Sequence, residues 1–132
     1  MDLIKITPDK EKAKSILQMV LLIEERIKIQ DREKMAALIM VDYYEIIKEL
    51  ITAILLVNGY KTLSHKDLVA YLEEKVSEVR AEEIHLIGQL RVLRNRVAYE
   101  GFLINSIYLK KNESLFQEII NKLKQMVKNK VS

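Results

Sequence analysis

The sequence predicts an all-α protein, a compact antiparallel bundle of four to five helices. Apolar residues recur at helical spacing along most of the chain, whereas the strict alternation of a half-buried strand is missing. Three glycines and one proline among 132 residues leave few turn signals, which favours long helices over many short strands. With 49% hydrophobic and 31% charged residues, the chain is typical of a globular protein, and we expect residues 1–132 to form one domain.

The first two predicted helices are long. Thr7 and Pro8 have the pattern of an N-cap followed by proline at the first helical position, and this helix is expected to end near Gln30. Asp31 is expected to cap the second helix. That helix should end at Asn58-Gly59, where glycine suits a left-handed C-terminal position. Because the second helix is the most apolar, we place it at the centre of the bundle.

Three further helices complete the predicted bundle. Ser64 and Asp67 have the spacing of a capping box, with aspartate in place of the usual Glu or Gln, and open a short third helix. The expected bounds of the third, fourth and fifth helices are 64–76, 81–98 and 106–130, with the fourth stopping near Gly101. The residues predicted to face inward from the fifth helix are Ile107, Leu115, Ile119, Leu123 and Met126. Short loops favour antiparallel neighbours.

The composition excludes several classes of site. Cysteine is absent, which rules out disulfide frameworks, thiolate metal sites and cysteine nucleophiles. The two histidines, His65 and His85, lack the spacing of a zinc-binding helix, so we expect no metal and no cofactor. The first ten residues do not resemble a signal peptide and no apolar run is long enough for a membrane span, so we expect a cytoplasmic protein. A net charge of +3 permits a nucleic-acid partner without requiring one.

The fourth predicted helix carries polar residues where apolar ones are expected. Its predicted core face consists of Leu86, Ile87, Leu90, Leu93, Val97 and Ala98. Arg94 falls in the middle of this face, and Arg91, Asn95 and Tyr99 form a stripe along its border. A guanidinium within an apolar face is costly unless it is paired or opens into a polar cleft. Gly88 lies beside the stripe, where it would allow close approach of another backbone, such as that of a second subunit.

The second predicted helix offers acidic partners for Arg94. Asp42, Glu45 and Glu49 are spaced i, i+3 and i+7, so they share one stripe. An ion pair between Arg94 and one of these acids is the simplest way to accommodate the guanidinium. By periodicity alone, the same pattern fits an ordinary bundle, in which a buried pair fixes the register or a long arginine reaches the surface.

The segment 93–101, LRNRVAYEG, resembles the R-N-x-x-x-H motif of HEPN domains (higher eukaryotes and prokaryotes nucleotide-binding). The segment 58–68 is similar to the family's G-Y…S-H-x-x-L turn, and the acidic stripe is where the family tends to place a polar residue against the motif arginine. The resemblance extends from the second helix through the fifth. It implies a helical homodimer in which two motifs form a shared basic cleft. Many members are metal-independent ribonucleases, several of them toxins, and many are encoded beside a minimal nucleotidyltransferase.

The resemblance also implies roles for single residues. Arg94 would stabilise the charge of a phosphorane-like transition state, and Asn95 would orient the phosphate or the arginine. Arg91 and Arg96 would extend the surface that binds phosphate or RNA. Tyr99 replaces the family's histidine, and a phenol with an ordinary pKa of about 10 is a poor base at neutral pH.

Neither histidine of the chain is predicted to replace the missing one. His85 falls on the solvated face of the fourth helix, and His65 is expected to be a capping or loop residue.

Three functions are therefore open. The chain is either a dimer that binds RNA or nucleotide phosphates at Arg94 and Asn95, or a non-catalytic partner of a nucleotidyltransferase, or a structural bundle. The first alternative includes an atypical metal-independent ribonuclease of toxin–antitoxin type, with Tyr99 in a chemical role. The second is favoured by the missing histidine. In the third, the pair between Arg94 and an acid only fixes the fold.

Overall fold

Five helices and one two-stranded sheet form the chain in a computed structural model that describes residues 1–132. The helices are α1 (Lys10–Ile29), α2 (Ala36–Val57), α3 (His65–Lys75), α4 (Ala81–Glu100) and α5 (Ser106–Val131), and the strands are β1 (Ile4–Lys5) and β2 (Tyr60–Lys61). The predicted all-α bundle is confirmed. None of the helices combines the length and the apolar character that crossing a membrane requires.

The hydrophobic core is built around α2, which packs against each of the other four helices. Ile39, Ile46 and Leu50 of this helix are fully buried. A helix that is apolar on nearly all sides must be covered on nearly all sides, which explains its predicted central position. The other helices contribute one face each, with Leu72, Ile87, Leu90, Leu109 and Phe116 among their fully buried side chains.

The start of α1 differs from the prediction because the residues before it form a strand. β1 pairs antiparallel with β2, which directly follows α2. This pairing keeps Thr7 and Pro8 outside the helix, so the cap predicted there is wrong. The N-cap is Asp9, whose carboxylate accepts a hydrogen bond from the backbone N of Lys12 at 3.0 Å. Two-residue strands are too short for their alternation to be visible in the sequence.

The start of α2 also lies later than predicted, whereas both predicted glycine ends are confirmed. Asp31 accepts two backbone hydrogen bonds at 2.9 Å, but these close a turn, and α2 begins only at Ala36. Gly59 and Gly101 have φ angles of 85° and 66° at the ends of α2 and α4. Side chains with a Cβ rarely adopt this left-handed conformation, which explains why glycine stands at both ends.

The buried face of α5 is displaced from the predicted one. Ile119 and Leu123 are buried as predicted, and Met126 is partly buried, but Ile107 and Leu115 are exposed. Other residues of α5 fill the core in their place, namely Leu109, Phe116, Ile120 and Val127. Both sets of residues have helical spacing, so only packing against α2 decides which of two neighbouring stripes is buried.

A buried carboxylate joins the beginning of α4 to α5. Glu83 is 4% exposed and accepts hydrogen bonds from the backbone N of Arg80 at 2.9 Å and from Lys122 Nζ at 2.6 Å. Burial alone would raise the pKa of Glu83, but the hydrogen bonds from Lys122 and Arg80 outweigh burial and lower that pKa. This contact attaches the beginning of α4 to α5.

We expect Glu83→Gln to lower the free energy of unfolding by roughly 2 kcal/mol at pH 7, because Lys122 then has no carboxylate partner. Since the pKa of folded Glu83 is lowered, its contribution is complete above the ordinary value of 4.5 and is lost as pH falls through the folded pKa. Urea unfolding should therefore show a steeper loss of stability below about pH 4.5 in the wild type than in the variant.

The exposed neighbour Glu82 provides the matched control. Glu82→Gln removes a surface pair with Arg80 and should change the free energy of unfolding by less than about 0.5 kcal/mol. Equal effects of the two substitutions would contradict the role assigned to Glu83.

Candidate functional site

Arg94 is held against the middle of α2 by an ion pair with Glu45. Its Nη2 lies 3.2 Å from Glu45 Oε1, and its Nη1 donates to Asn95 Oδ1 at 3.2 Å. The side chain of Arg94 is 19% exposed, so its guanidinium is neither enclosed in the core nor free in solvent. Of the three acids in the predicted stripe, Glu45 is the one that pairs with Arg94.

The other two acids bind elsewhere, which corrects their assignment as partners of Arg94. Asp42 accepts from Arg26 Nε at 3.0 Å and from Arg26 Nη2 at 2.7 Å, so it joins α1 to α2. Glu49 lies 3.5 Å from the ammonium group of Lys48. The three acids share one face of α2, but Asp42 faces a cation of α1, and only Glu45 faces a cation of α4.

Arg91 and Arg94 each have a buried Nε atom without a hydrogen-bond partner. Arg91 also forms no ion pair within the chain. Buried donors are nearly always paired in folded proteins, so each exception calls for an explanation. The two N–H groups belong to residues one helical turn apart, and arginine donors of this kind suit the oxygen atoms of a phosphate.

The other two candidate residues of α4 lie at the margin of the site or outside it. Arg96 lies 3.7 Å from Glu100 and has its guanidinium carbon 3.9 Å from the ring centroid of Phe102. It therefore does not join Arg94, because a separation of two residues places side chains on nearly opposite sides of a helix. Tyr99 is 77% exposed, with its ring centroid 5.9 Å from the guanidinium carbon of Arg94.

The structure adds Tyr44, Lys48 and His65 to the site, none of which the sequence analysis assigned to it. The Tyr44 ring centroid lies 5.8 Å from the guanidinium carbon of Arg94, and Tyr44 Oη lies 3.2 Å from His65 Nδ1. Lys48 Nζ lies 2.5 Å from Glu45 Oε2, the carboxylate oxygen that Arg94 does not use. Glu45 therefore bridges two cations, and Tyr44 lies close to both the guanidinium of Arg94 and the imidazole of His65.

His65 is the first residue of α3 and follows the N-cap Ser64, so it is neither the cap nor a loop residue as predicted. Its ring contacts α2 through Tyr44. Burial lowers the pKa of His65 from its ordinary value of 6.5, and the charges of Lys48 and Arg94 lower it further. The imidazole is therefore neutral at pH 7. Burial raises the pKa of Tyr44, so the phenol keeps its proton.

The predicted core face of α4 ends at Leu90. Leu93 and Val97 are only half-buried, and Ala98 is exposed. Val92 and Tyr99 in this half of the helix are also exposed, and an added Cβ at Gly88 would meet nothing within 4 Å. The arginine-bearing half of α4 therefore lies at the surface of the bundle. His85 is exposed, as predicted.

No group of three or more histidine, aspartate and glutamate side chains converges in a way that could hold a metal ion. Comparisons of the chain with protein-family models, with curated proteins and with solved structures found no match. The function of the site therefore has to be inferred from its own side chains.

We expect Arg94→Gln to raise the pKa of His65 partway toward 6.5, because one of the charges that oppose protonation is removed while burial remains. The measurement is an NMR titration of the histidine ring protons, with the signal of His65 assigned from a His65→Asn variant. Arg96→Gln removes the same charge outside the site and should leave the titration of His65 unchanged. An equal shift in both variants would show that His65 responds to net charge and not to Arg94.

Proposed function

We propose that the chain is a HEPN-type protein that binds RNA or nucleotide phosphates between Arg91, Arg94 and Asn95. The observation that carries this proposal is the pair of buried Nε–H donors without acceptors on Arg91 and Arg94. A pair that only stabilised the fold is expected to satisfy its donors within the chain. A phosphate oxygen would accept from both arginines in charge-assisted hydrogen bonds.

The surrounding groups suit an anion as well. Arg94, Arg91 and Lys48 bring three positive charges against the two carboxylates of Glu45 and Glu49, so one positive charge is in excess. Asn95 uses its amide oxygen to accept from Arg94, which leaves its Nδ2 as a further donor. Because the Arg94 side chain is 19% exposed, a phosphate that approached the accessible part of its guanidinium would not have to enter the core.

Homodimerisation is part of the proposal. Gly88, Val92, Asn95 and Tyr99 fall within about 60° of one another around α4, on the side that no other element covers. Val92 is 55% exposed and Tyr99 is 77% exposed, so this arc presents apolar surface beside the cationic cleft. A second copy docked through this arc would cover that surface and place two clefts side by side, as the family resemblance implies.

The second candidate, a non-catalytic helical partner of a nucleotidyltransferase, is favoured by the exposure of Tyr99. An aromatic side chain that stands out from an apolar arc is typical of a protein interface. In this case the same arc would bind the nucleotidyltransferase, and the cleft would lie at the edge of that contact.

We expect Arg94→Gln and Arg91→Gln each to weaken binding of a short single-stranded RNA by about tenfold or more, because each removes a charge-assisted contact to phosphate. Fluorescence anisotropy measures the affinity. Each variant should also reduce the slope of log affinity against log salt by about 0.7 for each lost phosphate contact. Arg96→Gln, which removes an equal charge at 48% exposure, should change the affinity by no more than about twofold. Equal weakening by all three substitutions would mean that the affinity for RNA depends only on the net charge of the chain.

We expect Val92→Glu to convert a dimer into a monomer, because it places a charge in the apolar arc of α4. Sedimentation velocity at micromolar concentration measures the change. Leu63→Glu introduces the same charge at a residue that is 91% exposed outside the arc, and this control variant should remain dimeric. A wild-type chain that sediments as a monomer would refute the dimer, as would a dimer that survives Val92→Glu.

A further inference from the structure

His65 and Tyr44 lie beside the cations of the site, although neither is needed to bind a phosphate. We propose that His65 is the residue that accepts the proton of a ribose 2′-hydroxyl when RNA is bound to Arg91 and Arg94. The substrate class is accordingly a ribonucleotide strand, and a deoxyribonucleotide strand would bind without reacting. This inference rests on the proposed function, since the arginines must first bind the phosphate.

The geometry leaves one ring nitrogen of His65 available for this role. Nδ1 lies 3.2 Å from Tyr44 Oη, whereas Nε2 has no partner within the chain. When the ring proton is on Nδ1, that N–H donates to the phenol oxygen and Nε2 carries the free lone pair. Tyr44 is then a positioning residue, which fixes the ring in the way that a second group orients the base in other acid–base sites.

The electrostatics of the site also suit a base. Burial, Lys48 and Arg94 keep His65 neutral at pH 7, so its lone pair is available without prior loss of a proton. Glu45 is the acidic group facing the ring, and Arg91 is a further nearby cation. The neighbouring phenol of Tyr44 keeps its own proton.

The reaction needs no cofactor or oxidant. Nε2 of His65 takes the 2′-hydroxyl proton while the 2′-oxygen forms a bond to phosphorus and the bond between phosphorus and the 5′-oxygen breaks. The leaving 5′-oxygen takes a proton from water, and the imidazolium returns its proton to the resulting hydroxide. The products are a 2′,3′-cyclic phosphate and a 5′-hydroxyl end. Arg91 and Arg94 would stabilise the negative charge that develops on the phosphorane oxygens.

Tyr99 occupies the position of the family's histidine but is less suited to proton transfer. It is 77% exposed and makes no hydrogen bond within the chain, so nothing fixes its hydroxyl. The base would instead come from His65, the first residue of α3.

The test compares cleavage and binding of one fluorescent single-stranded RNA by the full-length chain in the presence of EDTA. Binding is measured separately on the 2′-O-methyl form of the same strand, which cannot be cleaved by this route. We expect the wild type to cleave the RNA and to leave the 2′-O-methyl strand intact. His65→Asn should lower the cleavage rate by about 100-fold or more, with affinity for the 2′-O-methyl strand within about twofold of wild type.

The choice of variants separates a chemical role from a structural one. Asparagine at position 65 offers an amide donor near the place of Nδ1 and has no counterpart of Nε2, so we expect the contact with Tyr44 to be kept. His85→Asn, which alters the other, exposed histidine, should cleave at the wild-type rate. The wild-type kcat/KM, which reports the chain without bound RNA, should rise with pH to a plateau with a midpoint below 6.5, and Tyr44→Phe should move that midpoint.

The other possible outcomes contradict either the role of His65 or the proposed binding of phosphate. Unchanged cleavage by His65→Asn would remove His65 from the reaction, and loss of cleavage in Tyr99→Phe alone would assign the proton to that phenol. A wild type that binds the 2′-O-methyl strand but cleaves no RNA would overturn this inference and leave the proposed function standing. A wild type that binds neither strand would overturn the proposed function itself.

Discussion

Glu45 lies midway along α2 and accepts hydrogen bonds from two cations, Arg94 of α4 and Lys48 of its own helix. Its side chain is 24% exposed, so the interaction is screened less than a pair in open solvent. Without this carboxylate, two positive charges would face each other and Arg94 would be expected to turn outward. The same contact holds the guanidinium of Arg94 5.8 Å from the centroid of the Tyr44 ring.

The charges that make the site attractive to a phosphate also determine the state of its titratable groups. Burial, together with Lys48 and Arg94, lowers the pKa of His65, and burial raises the pKa of Tyr44 even though Arg94 acts against it. An anion bound at Arg91 and Arg94 would offset part of this positive field and raise the pKa of the imidazole. Phosphate binding and proton affinity are therefore coupled, which is the behaviour expected of a group that must accept a proton only when substrate is present.

The sequence predicts most of this fold because the helices are long and their ends carry residues with specific conformational needs, as at Gly59 and Gly101. The prediction fails at Thr7, where pairing with a strand distant in the chain decides the helix start. In the site, Arg94 and Asn95 can be identified from the sequence because they are adjacent on one helix. His65 cannot be identified in this way, because its position near Tyr44 depends on how α3 packs against α2. No local spacing in the sequence encodes that contact.

Arginine Nε–H resonances report directly on whether the two unpaired donors of α4 meet a phosphate. The measurement is a nitrogen–proton NMR titration of the chain with a short 2′-O-methyl RNA, with each Nε–H assigned by substitution. We predict that the signals of Arg91 and Arg94 shift and exchange more slowly with water as RNA is added, while that of Arg96 stays in place. If no signal moves, or if the signal of Arg96 moves as much as the other two, the phosphate site does not exist as described.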